Sequence, residues 1–264
     1  MTETKRNGLM IAGALLYAVL LWRVSIEASA LWETGPRSEQ LIFALIVAGG
    51  VIAALLALWG CDRSTAADLA MTTGRPVRAC LIGLIAYAGP AALALGGCIV
   101  ADVIEVRTVA NPMTILSSLA MLAGLVFLAE ALTEELVFRG LIQARLGRMM
   151  GPWPAILVQA ALFMLFALTI GAVEGLMDAS FIATFGVVLG ILRLVTSSLW
   201  APIGFHLVFM TTQQAFGAGW GILESSDPQL LRTVILAVIP FSVVIAVCFS
   251  RVGSARPERD AADA

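Results

Sequence analysis

The chain has 264 residues, of which 60% are hydrophobic and 13% charged, and a net charge of −2. Its mean hydropathy of +0.95 lies far from the half-apolar, quarter-charged balance of soluble domains. That excludes a soluble enzyme and leaves an integral membrane protein. No basic stripe is present to engage nucleic acid.

A helix crosses the hydrocarbon with roughly 20 mostly apolar residues. Eight stretches qualify in chain order: 8–26, 41–60, 79–101, 113–138, 152–171, 180–195, 199–222 and 231–250. The sixth is short and the seventh is rich in glycine and polar residues, so seven spans is the alternative count. The expected fold is all-α, a polytopic transmembrane helix bundle forming a single domain over 1–250. A short charged cytoplasmic tail, 251–264, follows it. Lys5 and Arg6 before the first span, with Ala28, Ser29 and Ala30 after it, give it the look of a signal peptide. Arg23 and Glu27 interrupt the approach to that site, so a retained anchor is expected. With a cytoplasmic N-terminus, four of the sixteen Lys and Arg residues (Arg23, Arg37, Arg107 and Arg232) fall outside and the rest inside. The positive-inside rule therefore puts both termini in the cytoplasm.

The segment 61–78 is the longest polar linker of the first half. Arg139 to Met150 alternates basic and apolar residues and is expected to carry the fourth helix into the cytoplasmic interface. Cys61, Cys80, Cys98 and Cys248 form no C-x-x-C pair and read as small buried hydrophobes.

The chemistry concentrates at the end of the fourth span. Glu134, Glu135 and Arg139 follow an apolar run from Met113 to Ala131. Charges at membrane depth cost from about 2.5 to well over 10 kcal/mol unless paired or hydrated, so such a cluster marks a functional site. Glu135 and Arg139 are four apart with the acid N-terminal, the favourable order for a helical ion pair. Glu134 then has no local partner. Glu130, one turn earlier on the same face, reads as a polar helix-lining residue. The only histidine is His206, on the seventh stretch. At 1.5 Å per residue, Glu134 lies roughly 16–20 Å from the Arg145–Arg148 end and His206 roughly 12 Å from Ser198, depths that allow both to face one cavity without requiring it. A zinc site needs three or four His, Cys, Asp or Glu ligands. With one histidine and no H-E-x-x-H, no metal or other cofactor is expected. What remains is carboxylate-driven hydrolysis: Glu134 deprotonates a water and His206 donates a hydrogen bond to the oxyanion.

Glu134-Glu135-x-x-x-Arg139-Gly140, then Phe163, then Phe185-Gly186-x-x-Leu189-Gly190, then Ser198, Trp200, Pro202 and His206 resemble the CPBP intramembrane proteases. These are relatives of type II CAAX prenyl endopeptidases and of bacteriocin-processing or immunity proteins. The resemblance covers about 115–215. It implies that Glu134 is the water-activating base, that Glu135 and Arg139 support it, and that His206 is an oxyanion donor. Two family positions differ. The motif F-x-x-x-H reads Phe163 to Ala167, and H-x-x-x-N reads His206 to Met210, so one histidine and one amide are replaced by apolar side chains. Losing one oxyanion donor costs about 10²–10³ in rate. Gln159, Thr169, Thr211, Thr212, Gln213 and Gln214 are the nearest polar alternatives, and only Gln213 and Gln214 share the face of Met210.

The resemblance implies a glutamate-dependent intramembrane endopeptidase acting on a membrane-anchored peptide or protein. The alternative is a pseudoprotease that serves as scaffold, immunity or binding protein. A transporter with ion-relaying carboxylates is a third class. The Ala- and Arg-rich, Lys-poor composition points to a bacterium of high GC content, hence to its inner membrane.

Overall fold

In the computed structural model the described residues are 2–31, 35–61, 69, 75–217, 219–220 and 222–254. The chain is a bundle of helices: α1 (Glu3–Ala30), α2 (Pro36–Cys61), α3 (Pro76–Val100), α4 (Pro112–Met150), α5 (Pro152–Ile170), α6 (Leu176–Thr196), α7 (Trp200–Ala215) and α8. The last opens as the π-helical stretch Leu230–Val238 and continues as Ile239–Ser254. Seven of them are long and apolar enough to cross a membrane. The exception is α7, at 16 residues.

The boundaries follow from local chemistry. Pro76, Pro112 and Pro152 occupy first turns, where a missing N–H removes no helical hydrogen bond. The Asn111 side chain accepts from the Thr114 N–H at 2.9 Å and caps α4. Gly171, at φ 83°, ends α5: the Ala172 N–H reaches back to the Ala167 carbonyl at 2.9 Å, the reversal that a left-handed glycine permits. Gly151, at φ 83°, turns α4 into α5.

Three expectations change. The fourth helix continues past 138 as expected, as one 39-residue helix to Met150, but the basic residues of its last turns are not all at the surface. Arg145 is fully buried and donates to Asn7 Oδ1 at 3.2 Å, because the N-terminal end of α1 packs over it. The seventh stretch ends at Ala215, not 222. Beyond it a short strand, Leu223–Ser225, pairs antiparallel with Val106–Thr108, Arg107 facing Glu224, so the bundle carries one small hairpin-like ribbon. Finally, α8 extends to Ser254, past the expected start of the tail. The remainder of that tail, and residues 62–68 and 70–74 of the 61–78 linker, lie outside the described residues.

Leu16, Leu20, Ile85, Leu93, Leu116 and Leu157 point outward, as lipid-facing side chains do when all backbone polar groups are satisfied within helices. Inside, α1 holds α5 through the edge-to-face pair Trp22–Phe166, at 5.3 Å. Tyr87 Oη of α3 donates to the Leu236 carbonyl of α8 at 3.0 Å. The tightest seam joins α3 to α7. A Cβ on Gly83 would collide with the Ala201 carbonyl, and one on Gly204 with the Cys80 carbonyl. Backbones come this close in membranes only over small residues. Gly83→Ala is expected to pry the two helices apart and cost about 1–3 kcal/mol, as overpacking does. A lowered unfolding midpoint in detergent would register it; an unchanged one would mean that the seam yields freely.

Candidate active site

The charged segment of α4 lies in a helix that changes pitch. Phe127–Ala131 and Glu135–Ile142 are π-helical, and Leu132–Glu134 between them is α-helical. Such π-turns are frequent at functional sites. Glu135 and Arg139 are fully buried, and Arg139 Nη1 donates to Glu135 Oε1 at 2.8 Å. The guanidinium also lies 4.5 Å above the centre of the Phe163 ring, whose negative face attracts it.

From α7, clamped by the glycine seam, His206 brings Nδ1 to 2.9 Å from the same Glu135 oxygen. A carboxylate oxygen already receiving a guanidinium N–H can only accept, so Nδ1 carries a proton and donates. His206 Nε2 faces Glu134 Oε2 at 4.0 Å, beyond hydrogen-bond length. Phe185 of α6 meets the imidazole edge to face at 4.9 Å. The four residues singled out from the sequence, Glu134, Glu135, Arg139 and His206, thus meet in one place. The imidazole is anchored by Glu135 rather than Glu134. The Glu134 carboxylate makes no hydrogen bond among the described residues.

Glu134 and His206 line a cavity of about 810 Å³. Its walls are aromatic, with Phe163, Phe166, Phe181, Phe185, Phe209 and Phe241, and the first turns of α6 and α8 add Asp178, Gln229 and Arg232. Ala167 and Met210 line it as well. The two apolar replacements therefore face the place where the resemblance would put a histidine and an amide. Gln159 does not stand in for either: it is fully buried, and its amide has no hydrogen-bond partner among the described residues. Gln213 is committed to α8, donating to the Arg232 carbonyl at 2.9 Å and accepting from Arg232 Nε at 3.2 Å.

Sequence reasoning gave too little weight to Glu130. It lines the same cavity, and its Oε1 accepts from Gln214 Nε2 at 2.8 Å. Gln214 Oε1 accepts from Gln40 Nε2 of α2 at 3.0 Å, and Gln40 Oε1 from Trp220 Nε1 at 3.1 Å. An indole N–H can only donate, so it fixes the direction of the whole chain toward Glu130. The one signal in the sequence was the single-turn spacing of Glu130 from Glu134. Gln40 and Trp220 gave none, because they are distant in sequence.

The arrangement sets the Glu134 carboxylate opposite His206 Nε2 at 4.0 Å. It does so in an apolar, partly enclosed space where electrostatic interactions are strong. Among curated proteins none matches the chain. Residues 116–212 match the sequence model of a known family, described as type II CAAX prenyl endopeptidase Rce1-like. That range holds all four polar groups of the cluster and both apolar replacements. The chain, an integral membrane protein with seven helices able to span a bilayer, is therefore similar over residues 116–212 to the type II CAAX prenyl endopeptidase Rce1-like family.

Proposed function

We propose that the protein is an intramembrane endopeptidase that hydrolyses a peptide bond of a membrane-associated peptide or protein, with Glu134 as general base. The observation that carries this reading is the unbonded Glu134 carboxylate facing His206 Nε2 across 4.0 Å in a partly enclosed cavity. A water between them transfers a proton to Glu134, and its oxygen adds to the scissile carbonyl carbon. The charge that develops on the carbonyl oxygen is met by His206, which Glu135 holds through Nδ1. The C–N bond then breaks as the leaving nitrogen takes the proton from Glu134, which restores the base. Glu135 orients His206, and Arg139 fixes Glu135. No metal enters this scheme.

Both termini are assigned to the cytoplasm on the charge bias, and the membrane to the bacterial inner membrane. Ala167 and Met210 support a second reading, in which the fold persists as a pseudoprotease that binds or scaffolds without cleaving. Incubating membranes that contain the wild type or Glu134→Gln, then mapping new protein termini by mass spectrometry, separates the two. Termini that appear only with the wild type support cleavage; identical sets support the pseudoprotease. Any such cleavage is expected to survive a strong chelator, and its loss would point to a metal-dependent reaction.

A further inference from the structure

We propose that the site is loaded from the outer face of the membrane, between the first turns of α6 and α8, and that its substrate is the extracytoplasmic flank of a membrane-anchored segment. This rests on the endopeptidase reading above. The connections after α1, α3, α5 and α7 share one face of the bundle. Val106–Thr108, after α3, pairs with Leu223–Ser225, after α7. Arg37, at the start of α2, lies over the Trp220 ring at 5.1 Å. A Cβ on Gly171, at the end of α5, would meet Arg23 Nη1 of α1 at 3.9 Å. The start of α1 and the end of α8 lie at the opposite face. That opposite face carries Lys5, Arg6, Arg75, Arg78, Arg148 and Arg193, against Arg23, Arg37, Arg107 and Arg232 on the first. By the positive-inside rule, the face poorer in cations is the outer one.

The cavity opens on that outer face. Met177 and Asp178 at the start of α6, and Pro228, Gln229 and Arg232 at the start of α8, line it and are exposed. Glu134, Phe163 and His206 lie at its far end and are buried. Toward the cytoplasm the described residues close it. Ile142, Ile156, Leu189 and Leu192 are buried there, and Leu69 of the 61–78 linker lies against Gly140. A separate cleft of about 200 Å³ at that end touches Arg139 but neither Glu134 nor His206. A lipidated tail displayed in the cytoplasm thus meets packed side chains. The cavity is also open sideways. Thr184 of α6 and Val238 and Ser242 of α8 line it and are exposed, roughly 12–18 Å along their helices from the outer ends. An anchor can stay in lipid while its outer flank unwinds into the cleft. Phe185, which packs on His206, lies roughly 13 Å along α6 from Leu176, the span of about four extended residues. The bond cut therefore lies about four residues inside the outer boundary.

The test labels single cysteines in the full chain, with Cys61, Cys80, Cys98 and Cys248 replaced by Ala, in sealed cells whose cytoplasmic thiols stay unlabelled. The probe is a maleimide that cannot cross the membrane. Gln229→Cys is expected to be labelled in sealed cells, and Glu3→Cys only after permeabilisation. Labelling of Gln229→Cys only after permeabilisation, or of Glu3→Cys before it, overturns the proposal. Labelling needs no substrate, so it is read independently of cleavage. In the termini-mapping assay on the wild-type chain, cuts are expected near the extracytoplasmic ends of membrane segments. A bulky maleimide on Gln229→Cys is expected to stop them. Glu134-dependent cuts in cytoplasmic tails reject this route and leave the endopeptidase standing. Labelling as expected without any Glu134-dependent cut rejects the endopeptidase, and with it the substrate.

Discussion

Glu134→Gln is expected to lower the rate of cleavage by about 10²–10⁴ while leaving the protein folded, the range for removal of a positioned general base. Glutamine has the size of glutamate but cannot accept a proton from water. The native carboxylate makes no hydrogen bond among the described residues, so the substitution breaks no packing contact. What is lost is attraction to an imidazole 4.0 Å away, which His206 replaces in part through Glu135. The unfolding midpoint in detergent should therefore change little. Glu134→Asp withdraws the carboxylate by one methylene and should retain part of the rate. Initial rates on a cleaved membrane protein, measured beside thermal unfolding, check both halves. Equal rates for Glu134→Gln and wild type would remove the glutamate mechanism.

Arg139→Ala carries the largest expected loss of stability, about 3–5 kcal/mol, because removing one partner strands a buried charge. Glu135 is fully enclosed and receives the guanidinium at 2.8 Å. Its other contact is His206, which cannot also replace the packing of Arg139 on Phe163. Arg139→Lys should recover only part of the loss, since an ammonium lacks the flat guanidinium face that stacks on the Phe163 ring. Adding Glu135→Gln to Arg139→Ala removes the stranded charge and should recover stability relative to the single variant, a coupling readable from a double-mutant cycle. Yield and unfolding midpoint in one detergent would show it. A single variant as stable as the wild type would mean that water reaches the carboxylate.

The parts of this architecture that depend on neighbouring residues were legible in the sequence. Hydropathy located the spans, because burial in lipid acts on each stretch of about 20 residues independently. The Glu135–Arg139 pair followed from helical spacing alone. Its competitor for the same oxygen did not: that His206 bonds Glu135 rather than Glu134 depends on where α7 meets α4 and on the π-turns that re-aim both acids. The boundary errors have a similar origin. Arg145 looked like a surface cation because its partner, Asn7, lies on another helix. The seventh stretch looked long enough to span because Gly, Trp and Ile residues after Ala215 are apolar, though the helix ends at Ala215. Glu130 was visible as a spacing, but the donors that orient it come from α2, α7 and the segment after α7.

The glycine seam between α3 and α7 bears on how a substrate arrives. Two backbones in direct contact leave no side chains to slide or compress, so the wall that carries the imidazole is stiff. The facing wall, from α5, α6 and α8, meets the cavity through large rings that turn and shift without breaking hydrogen bonds. Under the proposed endopeptidase function, admission of a polypeptide thus falls to the aromatic wall, and Glu134 and His206 keep their spacing while it opens.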